Sequence, residues 1–241
     1  MIISHSQKFI FVHIHKTGGS SLSLALQPFL AWNDLILGGS PLGEKTNHAF
    51  RAQYGLHKHS TLEEIKTVCG TDILDAYYSF ALVREPIAKA VSLYNYIAGF
   101  SRELAADFGR PEAELAAASI SGTGGIDHNF LRWEATRAYY QSNSFSDFIR
   151  APETLSDMGF RPQIASLRTD DGTYMVQKII KLEDVLHRLP DLWEALGFRF
   201  YLPHINRATL VKQPPDKISK ADRYYLKDLF ADDYLALEYP A

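Results

Sequence analysis

Residues 13 to 21 read His13-Ile14-His15-Lys16-Thr17-Gly18-Gly19-Ser20-Ser21, a run of cationic, hydroxyl and glycine residues suited to enclosing an oxyanion. The glycines let the main chain close around the anion, and a helix starting there presents unpaired N–H groups and the positive end of its dipole. Thr17, Ser20 and Ser21 add hydroxyl donors, and Lys16 adds a charge. In nucleotide-hydrolysing P-loops the lysine follows the last glycine of a longer loop. Here Lys16 precedes the glycine pair, so a generic ATPase or GTPase is the weaker reading. Arg84-Glu85-Pro86 offers a second anion contact, and Ser92, on a helix whose side chains lean back toward its N-terminus, can join Arg84 on one anion. Proton transfer has candidates in His57-Lys58-His59, because an imidazole with an unperturbed pKa of about 6.5 titrates near working pH. If this segment is extended, His57 and His59 lie on one side. A solvated loop is the plain alternative for such a pair in a chain with 9 histidines. His13 alternates with apolar neighbours and reads as structural, whereas His15 borders the anion loop.

These groups need a rigid scaffold. Apolar runs at 8–14, 77–83 and 174–181 predict strands, and helices are expected near 20–31, 61–69, 86–98, 128–141, 183–196 and 219–230. Pro86 is placed as a first helical residue. Ile87, Ala90, Val91, Tyr94, Ile97 and Ala98 then follow the spacing of a buried helix face, which turns Lys89, Ser92 and Asn95 elsewhere. Ser60 and Glu63 form the pattern of a capping box ahead of the 61–69 helix. Strands separated by helices predict a parallel sheet that binds ligands at its carboxyl edge, where both anion motifs fall. Residues 101–126, alanine-rich and then glycine-rich, read as an insertion or lid.

With 241 residues and 46% hydrophobic content the chain can bury a substantial core, and a single α/β domain over 1–241 is expected. A net charge of −3 argues against a nucleic-acid-coating surface. Cys69 stands alone, so no intramolecular disulfide forms. A first strand near residue 8 leaves no room for a signal peptide or anchor, and no run approaches the roughly 20 apolar residues of a spanning helix. The expectation is a soluble, cytoplasmic chain with no integral membrane segment. Neither a Cys pair nor His-Glu-x-x-His is present, so no metal is expected.

The loop His15–Ser21, Arg84-Glu85-Pro86 and Ser92-Leu93-Tyr94 together resemble the signatures of sulfotransferases that use 3'-phosphoadenosine 5'-phosphosulfate. The resemblance is to the carbohydrate and heparan-sulfate 2-O-sulfotransferase-like branch. It implies a sulfotransferase fold, with a P-loop-NTPase-like parallel sheet flanked by helices. It also implies transfer of a sulfonate to an acceptor hydroxyl, on a glycan or glycolipid, with adenosine 3',5'-bisphosphate as product and no metal required. By that match Lys16, Thr17, Gly18, Gly19, Ser20 and Ser21 hold the 5' end, with Lys16 also assisting departure of the leaving oxygen. Arg84 and Ser92 hold the 3'-phosphate. A His-x-His segment between the two motifs supplies the base in that family, which favours His59, with His57 second. Two departures stand out: His15 replaces the usual proline and Glu85 the usual aspartate. A late loop, His204 to Lys212, is the counterpart of one that closes over the nucleotide. Asn129, Arg132 and Gln163 are similar to positions in related bacterial sequences, although ordinary helix and turn polarity explains them equally well. Trp133, Tyr139 and Tyr140 suit sugar stacking or, more commonly at helical spacing, a core. Eukaryotic members are usually anchored in the secretory pathway, so a bacterial-type soluble relative fits better. Two other readings remain: a nucleotide-dependent phosphotransferase, disfavoured because no Lys-Ser/Thr follows the glycines, and a non-catalytic glycan- or anion-binding relative, which would tolerate loss of the base.

Overall fold

The computed structural model describes residues 1–123, 125–203 and 217–240; the expected late loop, 204–212, lies outside them. The chain forms two compact units. One is built from Met1–Glu85, the stretch beginning at Pro162, and Leu235–Tyr239; the other comprises Pro86–Arg161 and the helices between 220 and 234.

The first unit holds a five-stranded sheet of strands β1 (Ile2–Ser4), β2 (Phe9–Val12), β3 (Leu35–Ile36), β4 (Tyr78–Val83) and β5 (Lys178–Lys181), in the order β3-β1-β2-β4-β5. β2, β4 and β5 run parallel, with Val12 opposite Ala81 and Val83 opposite Lys181. β1 is antiparallel to both β2 and β3. The sheet is therefore mixed rather than wholly parallel. The reason is connection length: His5 to Lys8 is too short for the crossover that parallel neighbours need, so β1 and β2 pair as a hairpin. Phe9, Phe11, Phe80, Leu82 and Ile180 meet Leu22, Leu26, Val185, Leu189 and Leu192 in one apolar core. Ile10, Val12 and Ala81, which point to the opposite face, are buried too, as expected of a sheet covered on both sides.

Helix α1 (Gly19–Leu26) follows β2 and gives way at Pro28, which has no N–H to donate, to a 3-10 turn over Gln27–Phe29. Helix α2 (Pro41–Tyr54) was not expected from periodicity. Ser40 caps it by accepting from the Gly43 N–H, Pro41 starts it, and Gly55 ends it in the left-handed region. Helices α3 (Leu62–Cys69) and α4 (Asp72–Ala76) lead into β4. The capping box of α3 lies one residue later than expected. It pairs Thr61 with Glu64, because the Ser60 hydroxyl is engaged by the His57 N–H at 2.9 Å.

In the second unit, α5 (Pro86–Phe108) runs about ten residues past its expected end. Gly99 is buried and does not break it; the stop comes where Gly109 adopts φ 59°. There Arg110 N–H bonds Ala105 O and Gly109 N–H bonds Ala106 O, the paired pattern of a Schellman cap. Helix α6 (Glu112–Ser121) follows, so 101–126 comprises the tail of α5 and a separate helix. The expected 128–141 helix is split at Trp133 into a 3-10 turn (Asn129–Arg132) and helix α7 (Glu134–Gln141). Tyr94 packs against Tyr139, Phe145 and Phe148 in this unit's core, while Trp133 keeps 37% of its surface exposed. Among the described residues no helix is long and apolar enough to cross a membrane.

Lys89 and Asn95, expected off the buried face of α5, are buried. The Lys89 ammonium donates to Gly159 O at 2.9 Å and Arg161 O at 2.8 Å, and burial lowers its pKa to about 8 against the opposing charges of Asp233 and Asp157. Replacing it leaves two inward carbonyls without a donor, so Lys89→Met should lower stability by roughly 2 kcal/mol in urea unfolding. An unchanged midpoint would show that water replaces the ammonium without loss.

Candidate active site

Because β2 and β4 are parallel neighbours, the loops that leave them emerge at the same edge of the sheet. The first loop turns sharply. Lys16 has φ 63° and Gly18 φ 81°, and a left-handed non-glycine residue stores strain that the surrounding loop must hold. Thr17 does part of that holding: its hydroxyl is fully buried and donates to Ile14 O at 3.0 Å. It faces inward rather than toward a ligand. α1 starts at Gly19 with no side-chain cap; Ser21 and Leu22 donate to Gly18 O, whereas the N–H groups of Gly18, Gly19 and Ser20 have no partner among the described residues. Ser20 and Ser21 are half-buried on this first turn. A Cβ on Gly19 would sit 2.2 Å from the buried His13 ring, so only glycine lets the helix start approach this closely.

Two cations meet at this edge. Arg84 immediately follows β4, is half-buried, and places Nη1 3.4 Å from the Lys16 carbonyl. Burial, then the positive charges of Arg84 and Lys58, lower the Lys16 pKa to about 7. Packing like charges together in a partly desolvated loop is costly unless an anion completes the set. That cost, the uncapped helix start and the Gly18-Gly19 turn all fit a bound phosphate or sulfate group.

The histidines lie beside the loop. His59 is held by its Nδ1, 2.7 Å from His13 O. A carbonyl only accepts, so Nδ1 carries the proton and Nε2 is left as the basic nitrogen. Burial, followed by the charges of His15 and His13, drives the His59 pKa well below its usual value and keeps the ring neutral. His15 stacks on it with ring centroids 3.4 Å apart. His57 differs: it is buried, its Nδ1 accepts the His59 N–H at 3.2 Å, and its Nε2 lies 3.9 Å from Glu64. Its acceptor nitrogen is thus spent on shaping the loop. α2 secures the same loop, with Asn47 Oδ1 accepting the Lys58 N–H at 2.6 Å and Glu44 pairing with Lys58 Nζ at 2.8 Å.

Lys16, the glycine pair, Ser20, Ser21, Arg84 and His59 therefore gather in the first unit. Ser92 lies half-buried in the second turn of α5, in the other unit. Sequence reasoning missed Asn47 and Glu44, which sit on a helix with almost no buried face. Asn129 and Arg132 lie on the 3-10 turn, where Arg132 pairs with Asp127 at 2.6 Å in solvent. Among the described residues no group of three or more His, Cys, Asp and Glu side chains forms a metal site.

Two cations, a glycine turn, an uncapped helix start and a neutral histidine at one edge of an α/β sheet are groups that could hold an oxyanion and take up a proton beside it. A sequence profile of the sulfotransferase family matches residues 1–240, and the chain belongs to that family. No curated protein and no solved structure matches it.

The depressed Lys16 pKa sets a pH dependence. An anion favours the ammonium form, so affinity is full below about pH 7 and falls as Lys16 loses its proton above it. Sulfate keeps its charge across this range. Calorimetry should show sulfate binding weakening up to about tenfold per unit between pH 7 and 9, and Lys16→Met should abolish the slope. A flat wild-type profile would remove Lys16 from the cradle.

Proposed function

We propose that this protein transfers a sulfonate from 3'-phosphoadenosine 5'-phosphosulfate to an acceptor hydroxyl on a glycan or glycolipid. The observation that carries this reading is the convergence, where β2 and β4 end, of an uncapped helix start, two cations and a histidine whose Nε2 is basic. Family membership supports sulfonate transfer in general, and the sequence resemblance supports the donor and the acceptor class.

The N–H groups of Gly18, Gly19 and Ser20, with Lys16, would hold the 5' end of the donor, and Arg84 the 3'-phosphate, a role that the sequence resemblance also gives to Ser92. When bound, that donor supplies the sulfonate and a leaving group already stable as a phosphate. His59 Nε2 takes the acceptor proton, and the His13 carbonyl at Nδ1 stabilises the imidazolium that results. Lys16 opposes the negative charge that grows on the departing oxygen. His57 keeps the His59 backbone in place through the 3.2 Å bond to its N–H.

His59→Ala should lower turnover on the order of 10²–10⁴-fold, with nucleotide affinity nearly intact. Arg84→Ala should instead weaken adenosine 3',5'-bisphosphate while leaving AMP little changed. Calorimetric titration of both nucleotides and ATP, without added metal, checks the donor. A preference for ATP, or no binding at all, would sink the proposal in favour of a phosphotransferase or a non-catalytic relative.

A further inference from the structure

At the end of β4 the backbone leaves the ladder: the last register pair with β5 is Val83 and Lys181, and Arg84 has no strand partner for its own N–H and C=O. Both groups are taken by one side chain. Gln163 Oε1 accepts the Arg84 N–H at 2.8 Å, and Gln163 Nε2 donates to Arg84 O at 2.7 Å. The carboxamide reproduces the two-bond pairing of a neighbouring strand. Gln163 is completely buried and belongs to the same unit as Arg84. A simpler contact stands near the start of the strand, where the Gln177 side chain accepts the Ser79 N–H at 3.1 Å through a single bond. β4 is therefore held by a glutamine at each end, and the one at the carboxyl end fixes the Cα from which the Arg84 side chain departs toward the Lys16 carbonyl.

We infer that Gln163 is a positioning residue that aims the Arg84 guanidinium and thereby sets recognition of the donor's 3'-phosphate. This rests on the assignment of Arg84 to that phosphate. Gln163 touches no reacting atom; it acts by denying Arg84 the alternative backbone orientations open to a residue just past a strand end. Glutamate in its place could accept the Arg84 N–H but has no donor for the carbonyl, and methionine could do neither.

The test compares affinities for adenosine 3',5'-bisphosphate and AMP in the wild type, Gln163→Met, Arg84→Ala and the double variant, with thermal melting alongside. Gln163→Met should reduce the ratio of the two affinities on the order of tenfold, while AMP binding holds. The double variant should discriminate no worse than Arg84→Ala alone, because one substitution acts through the other. A full wild-type ratio in Gln163→Met would overturn the inference and leave the assignment of Arg84 standing. So would equal weakening of both nucleotides with a lowered melting temperature, which marks a purely structural residue. A wild type indifferent to the 3'-phosphate would overturn the assignment of Arg84 and the inference with it. Should Gln163→Met fail to fold, Gln163→Glu, which keeps one of the two bonds, is expected to show the same selective loss and is judged by the same outcomes.

Discussion

The close approach of α1 to the end of β2 is the constraint on which the first unit depends. His13 sits at that junction and serves both sides of it. Its buried ring occupies the space that a side chain at Gly19 would need, and its carbonyl accepts the hydrogen bond from His59 Nδ1–H. One residue thereby couples the uncapped helix start to the His59 imidazole. The strain at Lys16, held in the left-handed region, follows from the same geometry. A chain leaving a strand and entering a helix within six residues has few ways to turn.

Electrostatics in this corner run against the protein as a whole. The chain carries a net charge of −3, yet Arg84 and Lys58 are the charges that weigh most on Lys16. Burial of the two cations raises the cost of leaving the loop without an anion, and this cost is what turns an ordinary lysine into a group that titrates near neutrality. The histidines complement it. Burial holds the pKa values of His13 and His59 well below the usual imidazole range, so a neutral base stands beside the two cations.

Much of this was legible in the chain, and what was not has physical causes. The strand ending at Val12 and the strand ending at Val83 were visible because both are continuous apolar runs, and the glycine pair and Arg84-Glu85-Pro86 fall directly behind them. α2 was invisible because only Gly43 among its residues is buried; a helix that contributes caps and polar contacts instead of an apolar stripe leaves no periodic trace. The hairpin of β1 escaped because three residues are too few to show alternation. Thr17 and Ser60 illustrate a different limit. Each had an evident local role by type, as a ligand donor and as a helix cap, yet each hydroxyl is bonded elsewhere, to Ile14 and His57. Gln163 has no signal in spacing at all, since its partner lies 79 positions away.

That separation bears on how the protein acquires its site. His59 meets His13 across 46 residues and Gln163 meets Arg84 across 79, and β2, β4 and β5 are parallel strands brought together from distant parts of the sequence. Such pairings form late, because a large loop must close before any contact rewards it. The segment Met1–Glu85 carries Lys16, His59 and Arg84 but lacks both β5 and the Gln163 side chain that holds the Arg84 backbone, so the set is complete only in the whole unit. A ligand that binds there therefore selects the finished fold over every partly folded form, and its presence in the cell would stabilise the protein in proportion to how far its concentration exceeds the dissociation constant.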